Sequence, residues 1–175
     1  MTPQLLSSLL ADGPAPGLTK EMDLYGRLNG RWRTLSTHFP LDRPECREEG
    51  EWTFGYALEG RAVIDVWQVP PRAQLGGVKG VTSHECGLCV RVYDPRLKLW
   101  RFTFHGPVNG VTINMLAFAV GPDIVQERFY NARCERWIFS DISHDRFFWR
   151  SVLSTDGGVS WRLMQTIEAR RAICK

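Results

Sequence analysis

Gly50-Glu51-Trp52-Thr53-Phe54-Gly55-Tyr56-Ala57-Leu58-Glu59-Gly60-Arg61-Ala62-Val63-Ile64-Asp65-Val66-Trp67 is the stretch on which the fold turns. Two runs rich in aromatic and β-branched residues flank Glu59-Gly60, and glycine tolerates the positive φ that a two-residue hairpin loop demands. Side chains alternate across a strand, so such a loop fixes which residues share a face. One face collects Trp52, Phe54, Tyr56 and Leu58 from the first strand with Arg61, Val63, Asp65 and Trp67 from the second. Asp65 then stands opposite Phe54, and Arg61 opposite Leu58. That much aromatic area does not lie open to water, which makes the face a barrel interior or a sheet core.

From Arg31 onward the same texture repeats: short stretches of Trp, Phe, Tyr, Val, Ile and Thr, punctuated by Gly, Pro, Asp and Asn about every 8–12 residues. The pattern predicts ten strands near 31–38, 49–58, 61–69, 81–93, 98–105, 110–120, 123–130, 134–141, 145–154 and 160–171. Gly121-Pro122-Asp123 and Asp156-Gly157-Gly158 are further turn signals. Consecutive hairpins predict an all-β, closed antiparallel up-and-down barrel of about ten strands, since closure removes the exposed edges that invite aggregation. A sandwich is the competing architecture.

Upstream, Asp12-Gly13-Pro14-Ala15-Pro16-Gly17 is a cluster of turn formers that sets residues 1–17 apart as an extension from a single barrel domain at 18–175. Thr19 is the expected N-cap of a short helix near 20–28, with Glu21 in its first turn, Met22, Tyr25 and Leu28 at helical spacing, and Asn29-Gly30 as the stop. Leu5 and Leu9 of the extension are placed either as a cap on the barrel or as a contact with a second copy, a homodimer.

Within the predicted barrel, Asp65 and Arg61 form a charged pair among aromatic rings. Enclosed ionisable groups are costly unless hydrogen-bonded and are often functional, so these two are the candidate catalytic residues. An architectural ion pair tying strands together is the equal alternative. Other strands add to the same interior: Cys89, Arg91 and Tyr93 share a face, as do Trp100, Phe102 and Phe104. Trp52, Phe54, Tyr56, Trp67, Arg91, Tyr93, Trp100, Phe102, Phe104 and His38 are therefore the candidate ligand contacts. For any single aromatic, ordinary core packing is the competing reading.

Other chemistries find little support. His84-Glu85-Cys86-Gly87-Leu88-Cys89 has metal-binding residue types, but an extended strand sends His84 and Cys86 to one side and Cys89 to the other, and no second ligand pair completes a zinc tetrahedron. There is no Gly-x-Ser-x-Gly elbow and no glycine-rich phosphate loop before a helix, so no cofactor is expected. With 22 basic against 19 acidic residues and no basic run, the net charge of +3 leaves no nucleic-acid footprint. The N-terminal residues are too short and uncharged an apolar patch for export or membrane spanning. Five cysteines, an odd number, fit reduced thiols in a cytoplasm.

Gly30-Arg31-Trp32 resembles the Gly-x-Trp opening of lipocalins, whose indole closes the barrel floor. A wider resemblance, from Gly30 to Arg171, is to a family of bacterial lipocalin-like proteins of the calycin superfamily that has no common established reaction. It rests on Gly50-Glu51-Trp52-Thr53-Phe54, Leu58-Glu59-Gly60-Arg61-Ala62, Asp65-Val66-Trp67, Tyr93-Asp94-Pro95, Arg136-Trp137-Ile138-Phe139-Ser140-Asp141-Ile142, Phe148-Trp149-Arg150 and Ser154-Thr155-Asp156-Gly157-Gly158-Val159-Ser160-Trp161. The resemblance implies a calycin-type barrel and leaves chemistry open. His84-Glu85-Cys86-Gly87 ahead of Arg91 is also distantly similar to nitrobindin-type haem barrels. Those hold iron with a histidine on the last strand, and residues 161–168 contain none, so that scheme needs His38, His84 or His105 instead.

The expected function is binding of a small, largely apolar molecule in the barrel, with conversion by a cofactor-independent cyclase or isomerase ahead of a non-catalytic carrier or sensor, and haem binding last. Some lipocalin-like barrels similar to this one are cyclases.

Overall fold

The computed structural model describes residues 3–75 and 85–172. After a short helix α1 (Pro3–Leu9), a two-residue strand β1 (Leu10–Ala11) and a second helix α2 (Thr19–Gly26), ten strands follow. They are β2 (Gly30–His38), β3 (Cys46–Ala57), β4 (Ala62–Val69), β5 (Glu85–Asp94), β6 (Leu99–Gly106), β7 (Val111–Val120), β8 (Asp123–Tyr130), β9 (Arg133–Ser140), β10 (Arg146–Ser154) and β11 (Arg162–Arg171). Each pairs antiparallel with its successor, and β11 returns to β2 from Gln165↔His38 to Arg171↔Trp32. The ring is therefore a closed ten-stranded up-and-down barrel, and the sandwich alternative is set aside. The part of the fourth predicted strand, near 81–93, that precedes Glu85 lies outside the described residues.

Closure leaves one gap, and the extension fills it. β2 begins at Gly30 opposite Phe54, so the last turn of β3 has no partner on that side. β1 takes the place through Leu10↔Ala57 and Ala11↔Tyr56. The Leu58 N–H bonds to Leu9 O at 2.9 Å and Ala15 N–H to Gly60 O at 2.9 Å, which fastens the extension to the β3–β4 hairpin. Leu5, Leu6 and Leu10 stay exposed on this segment.

That hairpin keeps the expected register and the expected Glu59-Gly60 turn, but the two residues flanking the turn leave the barrel face. The pairing Ala57↔Ala62 is the one a Glu59-Gly60 loop dictates. The Arg61 N–H closes the turn on Leu58 O at 3.0 Å across Glu59 and Gly60, at φ 57° and 75°. Leu58 itself takes a positive φ of 52° and gives its N–H to Leu9 O instead of across the hairpin, so the ladder ends at Ala57↔Ala62 and the Leu58 and Arg61 side chains lie in solvent.

α2 closes one end of the barrel. Pro16 and Gly17 are the centre of a β-turn closed by Leu18 N–H to Ala15 O at 3.0 Å, with Gly17 at φ 83° as a type II turn requires. This turn starts the helix one residue earlier than expected: Leu18 holds the N-cap position without a side-chain bond, and Thr19 is already helical. Met22 and Tyr25 on its inner face and Leu28 just beyond are fully buried. Arg27 ties the helix to the β7–β8 turn through Pro122 O at 2.8 Å. Trp32, also fully buried, donates its indole N–H to Leu28 O at 2.7 Å, so this end is a packed floor. The connections leaving β2, β4, β6, β8 and β10 lie at the opposite end.

Candidate functional site

Inside the barrel, alternation delivers the expected face. Trp52 pairs with Trp67 and Phe54 with Asp65 across β3 and β4, and Asp65 pairs with Cys89 across β4 and β5. Arg91 lies two residues further along β5, diagonal to Asp65, within reach of a long side chain. Its Nη1 donates to Asp65 Oδ2, and Trp52 Nε1 donates to Asp65 Oδ1 at 2.5 Å. Arg91 Nε reaches Gln126 Oε1 on β8 at 3.3 Å, and the Tyr25 hydroxyl from the floor helix donates to the same oxygen at 3.0 Å. The guanidinium carbon lies 4.7 Å from the Tyr25 ring centre and 4.9 Å from that of Phe102, so its faces are covered by aromatic π-systems.

This network is dry. Asp65, Arg91, Tyr25 and Gln126 are each no more than 1% exposed. Burial alone would pull the Arg91 guanidinium down, but the Asp65 carboxylate together with Cys89 and Tyr25 holds Arg91 above its ordinary value. Burial pushes the Tyr25 hydroxyl up, with Arg91 opposing. Burial, followed by the Asp65 charge, pushes the Cys89 thiol well up.

Beside the network, on the side away from the floor, is a cavity of about 160 Å³. Its apolar wall is built mainly from the indoles of Trp52, Trp67, Trp137 and Trp149 with Phe104 and Ile167. Glu85, Cys89, Arg91, Gln126 and Gln165 supply the polar part. Phe104 fits because β5 carries Gly87 beneath it: a Cβ there would overlap the ring. Edge-on contacts fix the indoles, with Trp137 at 5.6 Å from Trp149 and 5.8 Å from Phe104.

Of the candidate ligand contacts, Trp52, Trp67, Arg91 and Phe104 line this cavity. Phe54 and Phe102 are buried behind it against Arg91. Trp100 and Tyr93 sit lower, at 5.8 Å from one another, with Trp100 against Tyr25 of the floor. Tyr56 is half-buried under Gly26 of α2. His38 stands one step toward the other end, its Nε2 3.3 Å from Gln165 Nε2, whose side chain reaches the wall. Of the two candidate catalytic residues, Arg61 is outside the barrel, its side chain 61% exposed and 3.9 Å from Glu59. The partner of Asp65 is Arg91, and Asp65 itself braces the wall from behind rather than lining it.

Several residues of the site were not among the candidates, Tyr25, Gln126, Trp137 and Trp149 being the ones that shape it most, beside Glu85, Gln165 and Ile167 of the wall. Gln126 had a usable signal, since it alternates with Ile124 on β8 and so places an amide at a core position. Tyr25 had none beyond its helical spacing, because nothing local shows a floor helix pointing a hydroxyl into a barrel. Cys86 is partly exposed and Cys89 buried on the opposite face; His84 lies outside the described residues. Among the described residues no group of three metal-ligating side chains converges.

Fold and interior together define a calycin-like barrel with an aromatic cavity above a buried polar network. Among solved structures, an S-type phycobiliprotein lyase, CPES, from Guillardia theta has a TM-score of 0.59 at 10% identity, over 87% of this chain and 93% of that one. Rv2717c from M. tuberculosis has a TM-score of 0.61 at 12% identity, over 91% and 99%. At these identities the likeness is one of fold. No protein-family model and no curated protein matches the chain.

Proposed function

We propose that the protein binds one small, largely apolar molecule inside the barrel and serves as its carrier or sensor. The observation that supports this reading is the cavity itself, apolar and walled by four indoles. Its volume of about 160 Å³ is close to the ~150 Å³ of an engineered apolar cavity that stays dry and takes up benzene. A single substituted ring fits that space, whereas a ligand of drug size occupies roughly 300 Å³ or more. Burying about 200 Å² of such a ring at ~25 cal/mol per Å² gives roughly 5 kcal/mol, a Kd on the order of 0.1 mM.

A second reading, a cofactor-independent cyclase or isomerase, uses the same cavity and is favoured by the position of Arg91. Its guanidinium reaches the wall, where it polarises a bound carbonyl while the cavity holds the substrate in a reactive shape. One neighbour of the same fold is named as a lyase. In this reading Asp65 fixes Arg91, because both carboxylate oxygens are already occupied.

Ethylbenzene titrated into ¹⁵N-labelled protein tests the binding claim. The expected result is movement of the indole signals of Trp52, Trp67, Trp137 and Trp149 ahead of Trp32 and Trp161. Movement at Trp161 alone, or at none, contradicts it. Native mass spectrometry of freshly purified protein then separates the readings: a retained molecule that stays unchanged fits a carrier, and one that is converted with time fits an enzyme.

A further inference from the structure

Trp137 stands on β9, five strands from β4 in the ten-stranded ring, and lines the same cavity as Trp67. Its ring is half-buried and packs against both hydrophobic clusters of the interior. On one side are Phe102 and Phe104 of β6, at 5.5 and 5.8 Å between ring centres, and on the other Trp149 of β10 at 5.6 Å. How this indole is turned therefore sets the width of the space left between β9 and the opposite wall.

A carboxylate fixes that turn. Trp137 Nε1 donates to Oε1 of Glu135 at 2.7 Å, two positions back along β9, on the same face and nearer the open end. Glu135 is itself held, because Arg128, its direct cross-strand partner on β8, donates to Oε2 through Nε at 2.8 Å and Nη2 at 2.6 Å. Arg128 in turn lies over the Tyr130 ring, 4.3 Å from its centre. Charge-assisted bonds are the stronger and more directional kind. The Arg128 and Glu135 side chains are 24% and 14% exposed, so water reaches the pair. One rung away the same two strands carry a second ion pair, Arg136 with Glu127, and there Arg136 covers Trp161, which is outside the cavity. Both pairs tie β8 to β9, but the Glu135 pair also ends on an indole of the cavity wall.

We infer that Glu135 is the positioning residue that sets the cavity's shape selectivity: anchored by Arg128, it holds the Trp137 indole in one orientation, so that the interior takes a slender single ring with one chain and refuses broader isomers. The inference rests on the binding reading and names the shape of its ligand. Glu135 touches no ligand and acts through Trp137 alone. With the acceptor removed, the indole keeps its apolar neighbours but loses the bond that fixes its turn, and the space beside it adapts to whatever enters.

Calorimetric titration with n-propylbenzene and 1,3,5-trimethylbenzene tests it, since the two are isomers that differ in shape alone. The wild type is expected to prefer propylbenzene by roughly tenfold, the equivalent of about 1.4 kcal/mol. Glu135→Met, which removes the acceptor, is expected to shrink the preference to about threefold or less. Glu135→Gln, whose amide oxygen still accepts from the indole, is expected to stay near the wild type, and so is Glu127→Met, which breaks the neighbouring ion pair instead. A wild type that does not distinguish the isomers overturns the inference and leaves the binding reading standing. So does an undiminished preference in Glu135→Met, or an equal loss in Glu127→Met, which marks general loosening of β8 and β9. A measurement on the wild type alone stands apart from the folding of any variant: a Trp137 indole proton that exchanges with water as fast as that of free tryptophan overturns the inference. Failure of both isomers to bind the wild type overturns the binding reading together with it.

Discussion

Arg91 of β5 reaches diagonally back to Asp65 of β4, and the two close an ion pair whose side chains are 1% and 0% exposed. Trp52 holds the other carboxylate oxygen and Gln126 holds the guanidinium Nε, so the pair is hydrogen-bonded beyond itself. This separates the barrel interior into two regions: a charged but internally neutral layer above the floor helix, and an apolar cavity beyond it.

Removing one partner leaves the other charge buried and unmatched. Asp65→Asn is expected to lower stability by about 3–5 kcal/mol, read from urea unfolding. The double replacement Asp65→Leu with Arg91→Met is expected to recover most of that loss. A double variant no more stable than Asp65→Asn contradicts the view that the unmatched charge is the cause. Loss of any activity in Asp65→Asn alone therefore does not mark Asp65 as catalytic.

The thiols differ in reactivity for a physical reason. Cys46 is exposed, whereas Cys89 is buried and pushed well above the ordinary thiol range by that burial. Iodoacetamide at pH 8 is expected to modify Cys46 in the folded protein and Cys89 only after unfolding, as mapped by peptide mass spectrometry. Labelling of both at similar rates counts against a dry network.

Alkaline pH is expected to destabilise the fold. Tyr25 and Cys89 both keep their protons in the folded state beyond the values at which the unfolded chain releases them, near 10.0 and 9.0. Above those values the unfolded chain binds fewer protons than the native one, so stability falls as pH rises, by at most about 1.4 kcal/mol per pH unit per group. Below about pH 8 neither group contributes a slope. Urea midpoints between pH 8 and 11 check this. Tyr25→Phe is expected to flatten the decline above pH 10, and an unchanged slope contradicts it.

Phe104 owes its place to Gly87. A Cβ at Gly87 overlaps the ring, so Gly87→Ala is expected to push Phe104 from its seat on the cavity wall, with a loss of about 1–3 kcal/mol in stability. Ethylbenzene affinity falls severalfold in the same variant. Unaltered affinity shows that Phe104 does not shape the binding space.

The barrel was legible because alternation and turn residues are local signals. Nine of its hairpins and pairings follow chain order, and Trp52, Phe54, Asp65 and Trp67 face inward as their spacing demands. Arg61 was misplaced by a cause that is not local: the Leu58 N–H is taken by Leu9, some fifty positions upstream, so the ladder ends at Ala57↔Ala62 and the residues flanking the turn face solvent. Its true substitute, Arg91, was visible as an inward-facing cation, but which cation meets Asp65 depends on how β4 and β5 lie side by side. Gln126 and Tyr25 meet at a separation of 101 residues, through a helix folded under the barrel, and no local pattern carries that contact.

The most direct measurement is calorimetric titration of ethylbenzene into the wild type and into Ile113→Trp, a substitution that fills the cavity from β7. Binding on the order of 0.1 mM by the wild type, at least tenfold weaker in a variant that unfolds no earlier, is the predicted result. Equal binding by both, or none by the wild type, contradicts the assignment of a ligand to the barrel interior.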